Sequence, residues 1–432
     1  MALEDAVDAS DHPAREFSLQ SEHELRFEIP PDVASASLTL LTGSAELFGL
    51  ALAQNKPYHL APSLNAAAFT WHGATLALRA PKYVMAYTAT DTPMPSYINA
   101  HSILQSKRQV ARRAGIPGPR AVVVGPHDCG KTALVNILAA YCVRANRTAV
   151  VADMDPSAGG AVGTMPATIA LSLVSHLDLE AGNLVHERLA TLMVGHHSPR
   201  HNVPVSERAF NKLAALLDKV MGMSNLDPWV GALADTSGDI LAKDGTDGVI
   251  QAIRAMNADV VFVLGAERLY AAIKSTFEST PVEAVLLAKS GGVISRDAAT
   301  RQVLRSNAIK SYFYGADNRL SPFSIAIEFD KVIVLRVGGE ATVVPDSVLP
   351  AGASSSLDPL KPVRITSVAD VLHNVLAVSQ ATDEKDVFDM PLFGFLHVVK
   401  VDVERNSMTV LAPSPGTIPS TILLVGDTKW VE

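Results

Sequence analysis

Cysteine is scarce in this chain of 432 residues, which contains only Cys129 and Cys142. Two cysteines provide neither a disulfide framework nor a zinc site, so the sequence predicts a protein of a reducing, intracellular compartment. Aromatic residues are also few, at 6%, although 48% of the residues are hydrophobic. This balance favours buried α/β cores and argues against extended disorder.

Long hydrophobic runs and an excess of positive charge are also absent. No apolar run reaches the ~18 residues of a membrane span. The acidic start, Met1–Asp5, has neither the basic region nor the apolar core of a signal peptide. We therefore expect no membrane association. The net charge is −8, so any nucleic-acid site would have to be a local basic groove.

A complete phosphate-binding motif is present at Gly125-Pro-His-Asp-Cys-Gly-Lys-Thr132. The β-branched run Ala121–Val124 precedes it and the helix-favouring run Ala133–Tyr141 follows it. In this arrangement backbone N–H groups and the helix N-terminus bind phosphate. Lys131 would reach the β- and γ-phosphates, and the Thr132 hydroxyl would ligate Mg²⁺. The alternative is a chance glycine turn before a core helix. The residues predicted to contact the nucleotide in this loop are Gly125, Asp128, Cys129, Gly130, Lys131, Thr132 and Ala133.

The pattern of apolar runs changes twice along the chain. Short runs separated by turn residues predict a small all-β domain first, and strands and helices then alternate as in a doubly wound parallel sheet. Strands return near the end, with one segment, 367–378, that looks helical. The predicted fold class is an α/β P-loop domain between an N-terminal all-β domain and a mostly β C-terminal domain. The predicted divisions are a flexible tail at 1–14, the β domain at 15–104, a basic helix and linker at 105–119, the P-loop domain at 120–313 and the C-terminal domain at 314–432.

Three carboxylates follow predicted parallel strands, namely Asp153, Asp155 and Asp235. Ligands bind at the carboxyl ends of such strands, so one carboxylate could hold Mg²⁺ and another could act as a general base. Each could equally be a helix cap or a turn residue. The histidines at 196, 197 and 201 lack the spacing of a known zinc motif, since no glutamate separates suitably spaced histidines.

A glycine-preceded basic segment follows the last predicted strand of the central domain. It runs from Ser290 to Arg305 and carries Arg296 and Arg301. In phosphoryl-transfer enzymes such a lid closes over the γ-phosphate and neutralises charge. The alternative is a solvated helix face with ordinary surface arginines.

Beyond the loop, the chain resembles the Clp-type polynucleotide 5′-hydroxyl kinases of the eukaryotic pre-mRNA cleavage and polyadenylation machinery. The matching segments occur in order along nearly the whole chain, so the resemblance is far more specific than one loop. They are Glu24–Glu28, Leu41–Gly49, Phe69–Gly73, Asp91–Met94, Gly265–Tyr270, Lys289–Val293, Tyr312–Gly315, Pro345–Pro350 and Gly394-Phe395.

The resemblance implies roles that the residues alone do not give. It implies that the N-terminal domain closes over the adenine of ATP, with Glu24 and Asn65 at positions that contact the base. It also implies that Arg296 and Arg301 are lid arginines and that Asp155 activates an RNA 5′-hydroxyl and lies near Mg²⁺. The implied location is the nucleus, and the implied partner is the large polymerase-tail-binding subunit of the cleavage factor.

The chain departs from the active relatives on the side that binds RNA. Where they have Val-Gly-Gln-Gly, this chain has Pro156–Gly159, so the glutamine is lost. Where they have a tryptophan that stacks on the RNA base, it has Asp239, which cannot stack and would repel phosphate. The usual clasp Thr-Thr-Pro-Gly is shortened to Ser198–Arg200.

Two functions from different classes therefore stay open. The first is an ATP-binding subunit of the 3′-end cleavage machinery in which ATP·Mg²⁺ is largely structural. The second is an active RNA 5′-hydroxyl kinase that uses Lys131, Asp155, Arg296 and Arg301. An unrelated P-loop ATPase would leave the flanking matches unexplained. Whether the protein is an enzyme is thus uncertain from the sequence, as is direct contact with RNA.

Overall fold

The computed structural model describes residues 12–33, 35–157, 163–178, 183–223, 226–241, 246–315, 319–337 and 360–431. Its N-terminal part is a sandwich of two antiparallel sheets around a core that includes Leu25, Phe27 and Leu76. One sheet has the order β1-β8-β3-β6 and the other β5-β4-β7-β2-β9. The strands are β1 Ala14–Leu19, β2 His23–Glu28, β3 Ser37–Gly43, β4 Glu46–Leu47, β5 Leu50–Ala51, β6 Pro57–His59, β7 Asn65–Thr70, β8 Ala74–Arg79 and β9 Met85–Ala89.

A long helix, α1 (Met94–Ala114), connects the sandwich to the central domain. It contains the predicted basic segment but begins well before it, and it ends at Gly115 in the left-handed conformation. Its buried residues, Tyr97 and Leu104 among them, pack on the central sheet. The buried Arg108 side chain donates from Nε to the carbonyl oxygen of Val230 at 2.7 Å. The helix therefore belongs to the packing of the central domain as well as to the linker.

The central sheet has seven strands in the order β13-β12-β11-β14-β10-β15-β16. Five neighbouring strands, β11, β14, β10, β15 and β16, are parallel to one another, as predicted. At one edge of the sheet β12 and β13 form an antiparallel hairpin, and β12 pairs antiparallel with β11. The sheet is thus mixed, and the hairpin was not predicted. The strands are β10 Arg120–Val124, β11 Ala149–Met154, β12 Thr168–Asp178, β13 Asn183–Met193, β14 Ala232–Thr236, β15 Val260–Leu264 and β16 Glu283–Leu287.

Helices cover both faces of this sheet, and a hydrophobic core lies under each set. Helices α1 and α2 pack on one face, whereas α3, α4 and α5 pack on the other. The parallel strands β10 and β15 are accordingly buried almost throughout. The remaining helices are α2 Lys131–Arg144, α3 Val203–Met221, α4 Asp247–Ala255, α5 Glu267–Thr276 and α6 Ala298–Tyr314.

The C-terminal part is a second seven-stranded sheet, in the order β17-β22-β21-β20-β23-β18-β19. Its pairings are antiparallel except between β18 and β23. The predicted helix at 367–378 is wrong. A short 3₁₀ turn at Val368–Val371 leads there into a fully buried strand, because the apolar run is β-branched and central in the sheet. The strands are β17 Phe323–Glu328, β18 Ile333–Arg336, β19 Val363–Arg364, β20 Asn374–Ser379, β21 Leu392–Asp402, β22 Ser407–Ala412 and β23 Ile422–Lys429.

Some predictions fall outside the described residues. They are the matched segment Pro345–Pro350, most of the predicted tail and the last two residues of Pro156–Gly159. The domain bounds stay a prediction. Among the helices that the structure describes, none has the length and hydrophobicity needed to cross a membrane.

The sandwich docks on α2 through Glu46 and Gly49. Glu46 accepts hydrogen bonds from the Tyr141 hydroxyl and from Arg144 Nη1, the latter at 2.6 Å. Arg144 also donates to the Gly49 carbonyl at 2.9 Å. A Cβ on Gly49 would lie 3.0 Å from the Ala140 Cβ atom and 3.1 Å from the Ile137 carbonyl oxygen, so any larger residue would be crowded against the helix. The sandwich is thereby held against the helix that follows the phosphate loop.

We predict that Gly49→Ala loosens this docking. Gly49 has φ +81° and a crowded Cβ position, whereas Gly115 has φ +66° and nothing within 4 Å of a Cβ. Gly115→Ala therefore carries backbone strain alone and is the matched control. The thermal unfolding midpoint of Gly49→Ala should lie about 2–4 °C below that of Gly115→Ala. Equal midpoints would show that the approach to α2 contributes nothing to stability.

A second prediction concerns His101, which lies on α1 with its ring 5.5 Å from that of Tyr141. Burial, aided by Arg108, lowers the pKa of His101 to about 4. The folded state keeps His101 neutral, whereas the unfolded chain protonates it near pH 6.5. The contribution of the neutral His101 to the free energy of unfolding is therefore complete above pH 6.5 and is lost as the pH falls from 6.5 to 4. His101→Phe should reduce the loss of thermal stability between pH 7 and pH 5. The same change at the exposed His59 should not, and an unchanged pH profile in His101→Phe would contradict the assignment.

Candidate nucleotide-binding site

The loop between β10 and α2 adopts a conformation that glycine makes possible. Gly130 has φ +92° and is the N-cap of α2. Gly125 packs so closely that a Cβ would lie 2.8 Å from Cys129 Sγ and 2.9 Å from the Leu264 carbonyl oxygen. Asp128 has φ +51°, which aspartate tolerates better than most residues. The glycines of the motif therefore shape the loop at the end of the sheet, as the sequence pattern predicts.

Lys131 and Thr132, the last two residues of the motif, each donate a hydrogen bond to a group beside the loop. Lys131 is only 7% exposed and donates from Nζ to the Pro126 carbonyl at 2.7 Å, so its ammonium lies over the loop. The Thr132 hydroxyl donates to Asp235 Oδ2 at 2.7 Å. Asp235 is the second-last residue of β14, the strand next to β10, and is buried. This hydroxyl–carboxylate pair is the arrangement in which P-loop proteins hold Mg²⁺.

Two further carboxylates lie at the carboxyl end of β11, Asp153 within the strand and Asp155 directly after it. Asp153 is buried and accepts hydrogen bonds from the Asp155 N–H and the Thr164 hydroxyl, both at 3.1 Å. Burial, with the nearby charges of Asp235 and Asp155, raises the pKa of Asp153 well above its ordinary value. Asp155 itself lines the cleft. Hard oxygen ligands beside the Thr132 hydroxyl fit a divalent cation such as Mg²⁺.

The lid segment, residues 290–305, closes on the loop through Asp128. Its carboxylate Oδ2 accepts from Arg301 Nη2 at 2.7 Å and from the Arg296 backbone N–H at 2.9 Å. Arg301 also donates to the Arg296 carbonyl oxygen at 3.2 Å. The Arg296 backbone and the Arg301 guanidinium are thus fixed above the phosphate loop, which gives Asp128 a structural role in addition to its predicted contact with nucleotide.

The opposite wall of the cleft comes from the sandwich. Glu24 is 2% exposed and accepts from Arg26 Nε at 2.6 Å and from the Thr92 hydroxyl at 2.8 Å. Arg26 in turn packs against the lid, because a Cβ on Gly291 would lie 2.8 Å from its Nη1. Asn65, at the start of β7, lines the same wall. The sandwich, the loop and the lid therefore enclose one space.

This cleft has a volume of about 400 Å³. Gly125 and two of the three candidate carboxylates, Asp153 and Asp235, are absent from its lining. Gly125 acts through the shape of the loop. The roles of the predicted site residues toward a ligand stay predictions. The predicted residues that line the cleft are Glu24, Asn65, Asp128, Cys129, Gly130, Lys131, Thr132, Ala133, Asp155, Arg296 and Arg301.

A histidine of the loop was missed by sequence reasoning. His127 Nε2 lies 2.6 Å from Asp239 Oδ1, and His127 Nδ1 lies 3.2 Å from Arg301 Nη1. The hydrogen bond from His127 lowers the pKa of the Asp239 carboxyl group. Asp239 was noted only as a replacement for tryptophan, since its distance in sequence from His127 conceals their pairing.

The histidines after β13 meet the C-terminal sheet rather than the cleft. His196 Nδ1 lies 2.6 Å from Asp427 Oδ2, and His197 Nε2 lies 3.1 Å from the Thr428 hydroxyl. His196, His201 and Asp427 have ligand atoms within 4.8 Å of one another. The short His196–Asp427 contact is a hydrogen bond that joins the central and C-terminal sheets.

Fold and site together define a P-loop nucleotide-binding protein. Comparison of the sequence with protein families gives three consecutive matches. They are "N-terminal beta-sandwich domain of polyadenylation factor" at residues 18–111, "mRNA cleavage and polyadenylation factor CLP1 P-loop" at 125–315 and "Pre-mRNA cleavage complex II protein Clp1" at 320–432. The chain therefore belongs to the Clp1 family of pre-mRNA cleavage and polyadenylation factors.

Individual relatives agree with this assignment. The chain is 34% identical over 421 residues to a "Protein CLP1 homolog" of Aedes aegypti, covering 97% of this chain and 98% of that protein. It is also 34% identical to the human "Polyribonucleotide 5'-hydroxyl-kinase Clp1", with 97% of each chain covered. A solved Clp1p structure, described with an interface to Pcf11p and with ATP loss in a point mutant, superposes with a TM-score of 0.83. It is 19% identical and covers 98% of this chain and 100% of its own. The predicted family and fold class are thus confirmed.

We predict that Thr132→Val removes the magnesium dependence of ATP binding. Valine keeps the volume of threonine but not the hydroxyl that contacts Asp235. ATP affinity measured by calorimetry in Mg²⁺ should fall by about 10–100-fold, as expected for a hydrogen bond to a charged group. Affinity in EDTA should change little. Thr276→Val, which removes an exposed hydroxyl on α5, is the matched control, and equal losses in Mg²⁺ and EDTA would contradict the role of the hydroxyl.

Proposed function

We propose that the protein is an ATP-binding subunit of the pre-mRNA 3′-end cleavage machinery in which ATP·Mg²⁺ is largely a structural ligand. One observation carries the structural role. Lys131, Thr132 and the lid arginines line one cleft, whereas Asp239, at the position of the base-stacking tryptophan of active relatives, is bonded to His127. The residues expected to bind phosphate are thus kept, whereas the side expected to bind RNA in active relatives is occupied by the hydrogen-bonded pair of His127 and Asp239.

The contacts around the cleft suggest how ATP would stabilise the fold. The loop N–H groups and Lys131 would bind the β- and γ-phosphates, and Arg296 and Arg301 would cover the γ-phosphate. Glu24 and Asn65 would contact the adenine from the sandwich. Since the sandwich, the loop and the lid each supply a wall, one ATP molecule would hold all three together. A ligand that binds only the folded state adds to its stability.

Magnesium would be held by the Thr132 hydroxyl together with Asp235 or Asp155. Mg²⁺ would neutralise phosphate charge when bound. The buried Asp153 supports this placement, because a divalent cation offsets the repulsion among the three strand-end carboxylates.

The partner would be the large subunit of the cleavage factor, which binds the polymerase tail, and the location would be the nucleus. The similar Clp1p is described with an interface to Pcf11p, and the family is named for pre-mRNA cleavage. By closing the cleft, ATP would fix the surface that the partner recognises.

An active RNA 5′-hydroxyl kinase is the second candidate, because Lys131, Asp155 and Arg301 line the same cleft and the human relative is named as such a kinase. In that reaction the RNA 5′-oxygen would attack the γ-phosphorus while Asp155 accepts the hydroxyl proton. The bond to the β-phosphate oxygen would break and ADP would leave.

Phosphate transfer to RNA distinguishes the two candidates. We predict that the protein, incubated with γ-labelled ATP and a 5′-hydroxyl RNA, labels the RNA about 10–100-fold more slowly than the human kinase assayed beside it. The reason is that Asp239 provides no stacking surface, and one base–aromatic stack contributes ~1–3 kcal/mol. Labelling at a rate close to that of the human kinase, abolished by Lys131→Ala, would contradict the structural role and establish the kinase.

A further inference from the structure

We propose that His127 and Asp239 form a latch that holds the lid arginine Arg301 on the phosphate loop and so slows the release of nucleotide. This proposal rests on the proposed function, since it concerns ATP in the same cleft. It assigns a positioning role to two residues on the acceptor side. In place of a surface for RNA, the chain there has a device that retains ATP.

The hydrogen-bond chemistry of the latch has one consistent assignment. The Arg301 guanidinium can only donate, so His127 Nδ1, at 3.2 Å from Arg301 Nη1, must accept. The proton of the neutral imidazole then lies on Nε2 and is donated to Asp239 Oδ1 at 2.6 Å. Asp239 therefore fixes the imidazole tautomer that can bind Arg301.

The backbone holds Asp239 at this distance. Asp239 lies in a 3₁₀ turn, Gly238–Ile240, that the Ser237 side chain caps by accepting from the Asp239 N–H. A Cβ on Gly238 would lie 2.7 Å from the His127 backbone nitrogen, so the turn after β14 packs directly on the phosphate loop. The pair is thus built into the contact between two loops at the end of the sheet.

Both terminal nitrogens of the lid arginine Arg301 donate hydrogen bonds to the phosphate loop. Asp128 accepts from Arg301 Nη2 at 2.7 Å, and His127 accepts from Nη1. One guanidinium therefore bridges two adjacent residues of the loop. We expect these bonds to break before nucleotide can leave past the lid, so their loss should speed its release.

The test measures the dissociation of labelled ATP from the full-length protein after a chase with unlabelled ATP. We expect His127→Ala and Asp239→Ala to speed dissociation by about tenfold, with a double variant no faster than the faster single variant, because both changes break one chain of bonds. His59→Ala and Asp402→Ala, both on the surface, are the matched controls.

His127→Asn separates the latch from a general structural effect. The asparagine Oδ1 atom can replace Nδ1 as the acceptor for Arg301, whereas alanine cannot. His127→Asn should therefore release ATP within about threefold of the parent rate, in contrast to His127→Ala.

Two failures can be told apart. Failure of the parent protein to retain any ATP would refute the structural-ligand function and the latch with it. Retention of ATP by the parent, with unchanged dissociation in both His127→Ala and Asp239→Ala, would overturn the latch alone.

Discussion

The site depends on the backbone conformation of the loop between β10 and α2. Gly125 can approach Cys129 and Leu264 only because it lacks a Cβ, and Gly130 begins α2 with a positive φ. From this conformation follow the positions of Lys131 above the loop and of the Thr132 hydroxyl against Asp235. The sandwich, the lid and the turn after β14 then pack on the loop or its helix, so a ligand of the loop would contact each of them.

Much of this site could be predicted because its determinants are local in sequence. A strand, a glycine-rich loop and a helix are encoded within one short segment, and the motif specifies residue type at each position that shapes the backbone. The parallel strands were predictable for a similar reason, since burial on both faces gives continuous apolar runs. The lid arginines Arg296 and Arg301 were noted from the glycine-preceded basic segment, and the resemblance favoured the lid over the surface alternative. The structure brings both into the lining of one cleft.

The features of the fold and the site that were not predicted depend on pairings between segments that are distant in sequence, which a single sequence does not reveal. The β12–β13 hairpin completes the sheet edge, yet its strands carry polar residues such as His186 and Arg188 that conceal it. Tertiary burial turned the second half of the segment 367–378, which resembled a helix, into part of the strand Asn374–Ser379. The contact between His127 and Asp239 is of the same kind, because it exists only where two loops meet.

The most direct measurement of the central claim is the identification of the nucleotide carried by the protein itself. The full-length protein would be purified without added nucleotide, denatured, and the released nucleotide separated by chromatography and quantified. The account predicts about one intact ATP per chain and little ADP, because the sandwich, the loop and the closed lid would retain a ligand that is not consumed. A protein that carries no nucleotide, or that carries mainly ADP, would contradict a structural role for ATP.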